Sequence, residues 1–210
     1  MTSLITGANR GIGRALWERM SDAIGTSRTG SATYKTLDVT DPASHVALAE
    51  SLNGRPIDLL VCNAGLYLDK GIALANYTPQ MVADTMATNV TGVILTVQTL
   101  LPNLKIGKSP KIAIISSQMG SQERAAGGAY AYRASKAAVL NFARNLAVDL
   151  KEDGIAVGAY HPGWVRTDMG GSAATVSVTE SADGLIARFN ELSMETTGCF
   201  RSFDGANIPF

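Results

Sequence analysis

The sequence predicts an α/β domain in which a doubly wound, mainly parallel sheet of seven strands carries helices on both faces. Two observations predict this fold class. Apolar runs of strand length alternate with longer amphipathic stretches of helical period, and a glycine-rich turn, TGANRGIG, directly follows the first run. The 210 residues suffice for one such domain and are few for two, so we expect a single domain over residues 1–210.

Each predicted strand is a short apolar run that ends near glycine or polar residues. In chain order these runs lie near residues 2–6, 23–27, 34–38, 57–62, 111–116, 155–160 and 199–203. Stretches with helical periodicity lie between them and predict helices near residues 12–20, 42–52, 79–101, 131–152 and 179–194.

Local signals support several of these boundaries. Asp41 before Pro42, and Thr78 before Pro79, match an N-cap residue followed by proline at the first helical position. Gly154 is a helix stop before the next strand. The segment 169–180, MGGSAATVSVTE, is small, polar and glycine-containing, so it is a candidate substrate loop or lid, or else a surface loop.

Composition excludes several classes of function. Lys and Arg total 18 and Asp and Glu also total 18, with no basic block, so nucleic acid is not an expected partner. No apolar run approaches the ~20 residues of a membrane span, and no signal peptide follows Met1, so we expect a soluble, cytoplasmic protein. The cysteines, Cys62 and Cys199, lack CxxC spacing, and two histidines are too few for a metal site; we expect reduced thiols and no metal.

The glycine-rich turn is typical of a dinucleotide-binding Rossmann domain. Glycines let the backbone turn tightly and approach a pyrophosphate, and the helix that follows offers free N–H groups and the positive end of its dipole. The spacing here is GxxxGxG, and a tight turn without a ligand stays an alternative. The predicted cofactor-binding residues of this turn are Gly7, Asn9, Arg10, Gly11, Ile12 and Gly13.

The residues after the second strand favour NADP(H) over NAD(H). An acidic residue there would bind the ribose 2′-hydroxyl of NAD, but Arg28 follows Ser27 and the next carboxylate is Asp38. Arg10 and Arg28 suit a 2′-phosphate, because guanidinium pairs bidentately with phosphate. Alternatively, both arginines are solvated surface residues. Asp38, with Val39, could meet the adenine edge or cap a turn.

The stretch AYAYRASKAAV contains the predicted chemical group. Lys136 lies four residues after Tyr132 and six after Tyr130, so a helix places Tyr132 and Lys136 on one face. A lysine one turn away would lower the pKa of a phenol and make it useful for general acid/base catalysis. Ser116 and Ser117 end the preceding strand, and a serine hydroxyl there could hold a substrate carbonyl oxygen. Tyr130 is then expected in the pocket or in packing.

Several motifs in order along the chain resemble the short-chain dehydrogenase/reductase family, most closely its small C-factor-type carbonyl reductases. These motifs are TGxxxGxG at residues 6–13, CNAG at 62–65, Asn89 in TNVTG, Ser117 in SSQMG, YRASK at 132–136 and HPGWVRTDM from His161.

The resemblance implies a role for each matching residue. Tyr132 would be the general acid/base, Lys136 would lower its pKa and contact the nicotinamide ribose, Ser117 would bind the carbonyl oxygen, and Asn89 would hold a water in a relay to Lys136. A homodimer or homotetramer through the helices near 79–101 and 131–152 is also implied. The remaining implied cofactor contacts are Asn63, Ala64, Gly65, Pro162, Gly163, Val165 and Thr167.

Two features depart from the family pattern. The common NNAG reads CNAG here, which keeps the second asparagine. The separation of Ser117 from Tyr132 is two residues longer than is common, and the common count would select Tyr130. We favour Tyr132 because the Tyr–Lys spacing is set by a helix, whereas the loop AAGGAY can absorb two residues.

The sequence therefore predicts an NADPH-dependent reductase of aldehydes or ketones, reversible as an alcohol dehydrogenase. The alternative is a dinucleotide-binding regulatory or signalling protein with little turnover. A serine hydrolase at Ser117 is disfavoured because no GxSxG motif is present. The expected pocket wall, formed by residues 169–180, Trp164, Tyr130 and the final NIPF, favours a modest apolar carbonyl substrate.

Overall fold

The structure is a computed structural model that describes residues 1–210. Its seven strands form one sheet in the order β3-β2-β1-β4-β5-β6-β7, and all six pairings are parallel. The strands are β1 (Ser3–Ile5), β2 (Ala23–Ser27), β3 (Lys35–Thr36), β4 (Leu59–Cys62), β5 (Lys111–Ile115), β6 (Ala156–His161) and β7 (Cys199–Ser202). The predicted fold class is confirmed.

Six α-helices connect these strands. They are α1 (Gly11–Arg19), α2 (Pro42–Leu52), α3 (Pro79–Met86), α4 (Gly92–Lys105), α5 (Tyr130–Asp149) and α6 (Val178–Glu191), with short 3₁₀ turns at Leu74–Asn76 and Gln118–Gly120. The two predicted N-caps are confirmed, because the Asp41 side chain accepts from Ala43 N and the Thr78 side chain accepts from Met81 N. No helix combines the length and the apolar character that a membrane crossing requires.

Successive side chains of a strand point to opposite faces of the sheet, so buried apolar residues lie on both faces. Helices pack on each face and cover these residues. In β4, Leu60 and Cys62 belong to the larger core cluster, which is completed by apolar residues of α2, α4 and α5. Leu59 and Val61 point the other way and belong to the second cluster, with residues of α1 and α6. The site therefore lies on a sheet that is held from both sides.

Three of the differences between the predicted and the observed elements affect how the chain is organised. The helix predicted over 79–101 is divided into α3 and α4 by a π-helical segment, Ala87–Thr91. Strand β3 is two residues long, since the chain leaves the sheet edge after Thr36. Residues 178–180 belong to α6, where Ser177 and Glu180 form a capping box, so the loop predicted over 169–180 ends at residue 177.

The strand order reverses between β1 and β4, because the chain proceeds outward to β2 and β3 on one side and to β5, β6 and β7 on the other. Such a reversal opens a crevice at the carboxyl ends of the strands, where ligands of this type of sheet bind. The glycine turn follows β1 and the CNAG motif ends β4, so the two motifs meet at this crevice.

Candidate active site

The glycine turn leaves the first N–H groups of α1 available to a ligand. Gly7 and Gly11 have φ values of 66° and 54°, in the left-handed region that favours glycine. Arg10 occupies the N-cap position without a side-chain capping bond, and the first turn contains no acidic residue. A pyrophosphate fits this arrangement, because it would accept from the unpaired N–H groups and meet the positive end of the helix dipole.

Asn63 and Thr6 join the two strand ends that border the crevice. Thr6 Oγ1 accepts from the backbone N–H of Asn63 at 2.9 Å and of Ala64 at 3.0 Å. Asn63 Nδ2 donates to Thr6 O at 2.9 Å and to Gly7 O at 3.2 Å. A Cβ at Gly13 would lie 2.2 Å from Gly7 O, so only glycine allows α1 to pack this closely. Asn63 thus shapes the crevice through its side chain.

The segment after β6 brings Thr167 opposite the glycine turn. Its Cγ2 lies 3.4 Å from where a Cβ on Gly11 would be. Pro162 O accepts from Ser181 Oγ at 2.6 Å. Gly163 has a φ of 88°, and a Cβ at this position would lie 2.9 Å from the ring of Phe203. Of the predicted contacts at residues 162–167, Thr167 thus lies beside the glycine turn, and the cofactor-binding role of the whole segment stays a prediction.

The predicted 2′-phosphate arginines have different partners. Arg28 is exposed and close enough to Asp38 to lower the pKa of that carboxyl, although hydrogen bonds from Thr40 contribute more. Asp38 Oδ1 accepts from Thr40 N at 2.9 Å, so its turn-capping role is observed. Arg10 Nη1 instead donates to Asp168 Oδ2 at 3.2 Å, and both side chains are mostly exposed.

The predicted chemical residues meet at the carboxyl end of β5. Tyr132 and Lys136 follow on one face of α5, with Lys136 Nζ 5.7 Å from the centroid of the Tyr132 ring. The Ser117 side chain lies close enough to the Tyr132 phenol to act on its pKa, in the direction of lowering it. Ser116 Oγ donates to Lys136 O at 3.0 Å, which ties the strand end to the helix. Residues 122–128, which lie between Ser117 and Tyr132, are all exposed, so the longer Ser–Tyr separation falls in a surface segment.

Burial shifts both ionisable groups away from their charged forms. It raises the pKa of Tyr132 to about 12, while the hydrogen bond with Ser117 acts in the opposite direction. It lowers the pKa of Lys136 to about 8, and Lys136 Nζ donates to Ile115 O at 2.9 Å. Burial therefore sets the direction of the Tyr132 pKa shift, and the expected lowering of that pKa by Lys136 stays a prediction.

Asn89 lies in the π-helical segment and joins three elements. Its Oδ1 accepts from Leu66 N at 2.7 Å, and its Nδ2 donates to Leu66 O at 2.9 Å and to Ser135 Oγ at 3.0 Å. A Cβ on Gly65 would lie 3.3 Å from Asn89 Oδ1 and 3.7 Å from Lys136 Nζ, so Gly65 separates the two groups narrowly. The predicted water relay stays a prediction.

Three residues of the β4–α3 connection were missed by sequence reasoning. The ring of Tyr67 stacks on that of Tyr132, with centroids 4.1 Å apart and planes inclined by 17°. Asp69 is fully buried and accepts from Tyr77 Oη at 2.7 Å. Tyr77 packs against Tyr130, whose ring is 5.7 Å away and half exposed. No motif marks these residues, and only their place just after CNAG could have suggested them.

The candidate substrate loop is held by backbone contacts. Lys70 Nζ donates to Met169 O and Gly170 O, both at 3.0 Å, and Trp164 Nε1 donates to Gly170 O at 3.0 Å. Val165 and Val176 form an isolated parallel bridge across the base of the loop. The loop thus lies against both Trp164 and the β4–α3 connection.

Neither histidine is bonded to Ser117. Ser117 Oγ accepts from Met119 N at 3.1 Å, and His45 Nε2 is bonded to Val39 O at 3.1 Å. His161, at the end of β6, is buried, and burial lowers its pKa to about 4. Both cysteines are free thiols.

The chain belongs to the short-chain dehydrogenase/reductase family. The family model described as short chain dehydrogenase matches residues 17–176. The protein named C-signal from Myxococcus xanthus is 35% identical over 167 residues, which cover 78% of this chain and 99% of that protein. The 1-hydroxy-2-glutathionyl-2-methyl-3-butene dehydrogenase of Rhodococcus sp. (strain AD45) is 32% identical over 100% of this chain and 99% of its own.

Solved carbonyl reductases have the same fold over the whole chain. The NADPH-bound carbonyl reductase from chicken fatty liver has a TM-score of 0.89 and 30% identity, covering 100% of this chain and 98% of its own. The carbonyl reductase Sniffer of D. melanogaster has a TM-score of 0.90 and 27% identity, covering 100% and 99%. The chain is therefore similar to oxidoreductases of the carbonyl reductase type.

Proposed function

We propose that this oxidoreductase uses NADPH to reduce the carbonyl group of modest, largely apolar aldehydes or ketones. The observation that carries the proposal is the arrangement of Ser117, Tyr132 and Lys136 at the carboxyl end of β5, beside a crevice with an uncapped helix N-terminus. The similarity to carbonyl reductases, including one with bound NADPH, supports the same class of substrate and cofactor.

Within this proposal, the nicotinamide cofactor supplies the hydride and the chain supplies position and proton transfer. The phenolic hydroxyl of Tyr132 donates its proton to the carbonyl oxygen as negative charge develops there. Ser117, which lies beside Tyr132, donates a hydrogen bond to the same oxygen. Lys136 holds the ribose of the cofactor, and Asn89 holds a water that returns a proton to the lysine.

The cofactor would lie along residues of both strand ends. The α1 N-terminus would bind the pyrophosphate, Arg28 and Arg10 the 2′-phosphate, and Asp38 with Val39 would border the adenine. Gly65 leaves room beside Lys136 for the nicotinamide ribose. The other proposed contacts are Asn9, Ile12, Asn63, Ala64, Pro162, Gly163, Val165 and Thr167.

The expected substrate class follows from the side chains around Tyr132. Tyr67 presents an aromatic ring against it, Tyr130 is half exposed on the same helix, and Trp164 and Met169 are exposed at the loop that we propose as the substrate lid. Large apolar surfaces of this kind favour an apolar substrate body and leave its carbonyl group to Ser117 and Tyr132.

The test follows the loss of reduced-nicotinamide absorbance with NADPH and with NADH across a panel of aldehydes, ketones and quinones. We expect NADPH-dependent turnover that falls about 100-fold or more in Tyr132→Phe, because general acid catalysis contributes about 10²–10⁴-fold to the rate. NADPH binding should be retained. Tyr130→Phe is the matched control, since it removes a hydroxyl from the same turn of α5. It should keep most of the activity, because the Tyr132 hydroxyl stays in place.

A second candidate is a dinucleotide-binding regulatory or signalling protein with little turnover. The similarity to a protein named C-signal favours considering it. Tight NADPH binding with no turnover on any member of the panel, equal in wild type and Tyr132→Phe, would select this candidate over the reductase.

We also propose that the protein is a homodimer or homotetramer through α4 and α5. The exposed Ile94 on α4 and Val148 on α5 give these helices apolar outer positions. Sedimentation that finds only monomer at assay concentration would remove this part of the proposal.

A further inference from the structure

Asp69 places a fully buried carboxylate beside the first turn of α5. The residue lies between β4 and α3 and has no exposed surface. Its Oδ2 accepts from Tyr77 Oη at 2.7 Å, from Ala131 N at 2.8 Å and from Tyr132 N at 3.3 Å. Its Oδ1 is buried and has no hydrogen-bond partner. Burying a carboxylate costs free energy unless it is hydrogen-bonded or paired, so the hydrogen bonds that Asp69 makes are the place to look for its role.

Helix α5 has no cap of its own. Ala129 is the N-cap residue and has no side chain that could accept a hydrogen bond, and it follows Gly127 and Gly128, all three with positive φ. The first N–H groups of the helix are satisfied from another segment instead. Tyr77 Oη accepts from Tyr130 N at 3.0 Å, and Asp69 takes the next two. The cap of α5 therefore comes from a residue 62 positions earlier.

We infer that Asp69, through Tyr77 and the backbone of residues 130–132, is a positioning residue that fixes where α5 begins and therefore where the Tyr132 hydroxyl stands. This inference rests on the proposed function, in which Tyr132 is the general acid. The contact to the backbone of Tyr132 is direct, so a change in the cap displaces the reacting side chain first.

The charge of Asp69 has a second consequence for Tyr132. The titratable groups that face the Tyr132 phenol are Tyr67 and Asp69 from the β4–α3 connection and Lys136 from α5. Asp69 and Tyr67 both raise the pKa of Tyr132, and only Lys136 carries positive charge. Asp69 thus adds to burial, the largest cause, in favouring the protonated phenol, which is the form that donates a proton during carbonyl reduction.

Two variants of Asp69 separate the cap from the charge. Asp69→Asn keeps an oxygen that can accept from the helix N–H groups. Its NH₂ group replaces Oδ1, the oxygen that has no partner, so this variant removes the charge and keeps the cap. Asp69→Ala removes both. Tyr77→Phe removes the hydroxyl that links Asp69 to Tyr130 N and keeps the charge. Asp84→Asn, whose surface carboxylate accepts from Gln80 at 2.7 Å, is the control for a charge change elsewhere.

Three readouts are expected to respond differently. Asp69→Ala should lower kcat at least tenfold with a smaller change in the KM for NADPH, because displacing a catalytic group by about 1 Å costs on the order of 100-fold. Amide exchange at residues 130–132 should accelerate in Asp69→Ala and Tyr77→Phe but not in Asp69→Asn. In Asp69→Asn the pKa of Tyr132 should fall. As pH is raised, the loss of reductase activity and the onset of alcohol oxidation should then both occur at lower pH values than in wild type.

Direct titration of the Tyr132 phenol keeps the inference testable without turnover. The phenolate absorbance of each protein is compared with that of its Tyr132→Phe counterpart, which isolates this tyrosine. If wild type shows no turnover, the proposed function fails, whereas the exchange and titration data still decide the role of Asp69. Unchanged exchange at residues 130–132 in Asp69→Ala, or an unchanged Tyr132 titration in Asp69→Asn, would overturn the inference.

Discussion

Tyr132 and Lys136 are individually unfavourable as ions where the fold places them. Each is more than nine-tenths buried, and burial is the largest cause that raises the tyrosine pKa to about 12 and lowers the lysine pKa to about 8. Desolvation penalises charge on either group, so the neutral phenol is the stable form near neutral pH. This suits a proton donor, and Ser117 is the neighbour whose hydrogen bond eases ionisation when a proton must leave.

Arg28 is the residue at which we test the predicted preference for NADPH over NADH. In Arg28→Ala, the KM for NADPH should rise about tenfold or more while that for NADH changes little, because a hydrogen bond to a charged group contributes about 1.5–3 kcal/mol. Initial rates with both cofactors measure this. Arg55→Ala, which removes an exposed arginine paired with Asp22, is the control. Equal losses with NADH and NADPH would contradict a 2′-phosphate contact.

Asp168→Ala provides the complementary change for Arg10. It removes the carboxylate partner of Arg10 without touching the glycine turn. If Arg10 binds the 2′-phosphate, the freed guanidinium should hold NADPH at least as tightly as in wild type, since an exposed ion pair no longer competes.

At the level of elements, the π-helical segment between α3 and α4 places Asn89 within hydrogen-bond distance of two other segments. Its side chain bonds to the backbone N–H and C=O of Leu66 and to the side chain of Ser135. π-helical turns recur at functional sites, because the extra residue redirects a side chain. Here the redirected side chain connects the end of the CNAG segment to α5. The position of Lys136 therefore depends on a helix break as well as on α5.

Asn89→Ala should lower the free energy of unfolding by about 3 kcal/mol, because it leaves buried backbone groups of Leu66 without partners. Activity should fall with it, since Leu66 lies between the CNAG motif and Tyr67. Chemical denaturation measures the first effect and initial rates the second. The control is Asn145→Ala on the exposed side of α5, where a change within about 0.5 kcal/mol is expected. A similar loss in both variants would contradict the special role of the π-helical segment.

At the scale of the whole molecule, His161 should govern stability in weakly acidic solution. Burial lowers its pKa from 6.5 to about 4, with the charge of Arg124 acting in the same direction. Between these two pKa values His161 is protonated in the unfolded chain and neutral in the folded chain. Its contribution to stability is therefore fully present above pH 6.5 and is lost as pH falls toward 4. The loss should reach about 3 kcal/mol, at 1.36 kcal/mol per unit of pKa.

His161→Asn should flatten this part of the stability profile. Denaturant unfolding at several pH values gives the comparison. Asp22, Asp38, Glu180 and Asp204 have lowered pKa values too, so the stabilisation that they provide is lost at more acidic pH and remains in the variant. An unchanged slope between pH 6.5 and 4 in His161→Asn would assign the acid sensitivity to another group.

The amino-acid sequence by itself determined the fold class, the two N-caps at Asp41 and Thr78, and the joint location of Tyr132 and Lys136. These depend on local rules, because capping bonds and helical spacing act within a few residues, and apolar periodicity marks each buried segment. The glycine turn belongs with them, since strand, turn and helix follow one another directly in the chain.

Only the tertiary structure decided that Asp69 caps α5, that Tyr67 stacks on Tyr132, and that burial raises the pKa of Tyr132. Each of these depends on contacts between segments far apart in sequence. Desolvation in particular is a property of the packed site, because it measures how much water the surrounding elements exclude together.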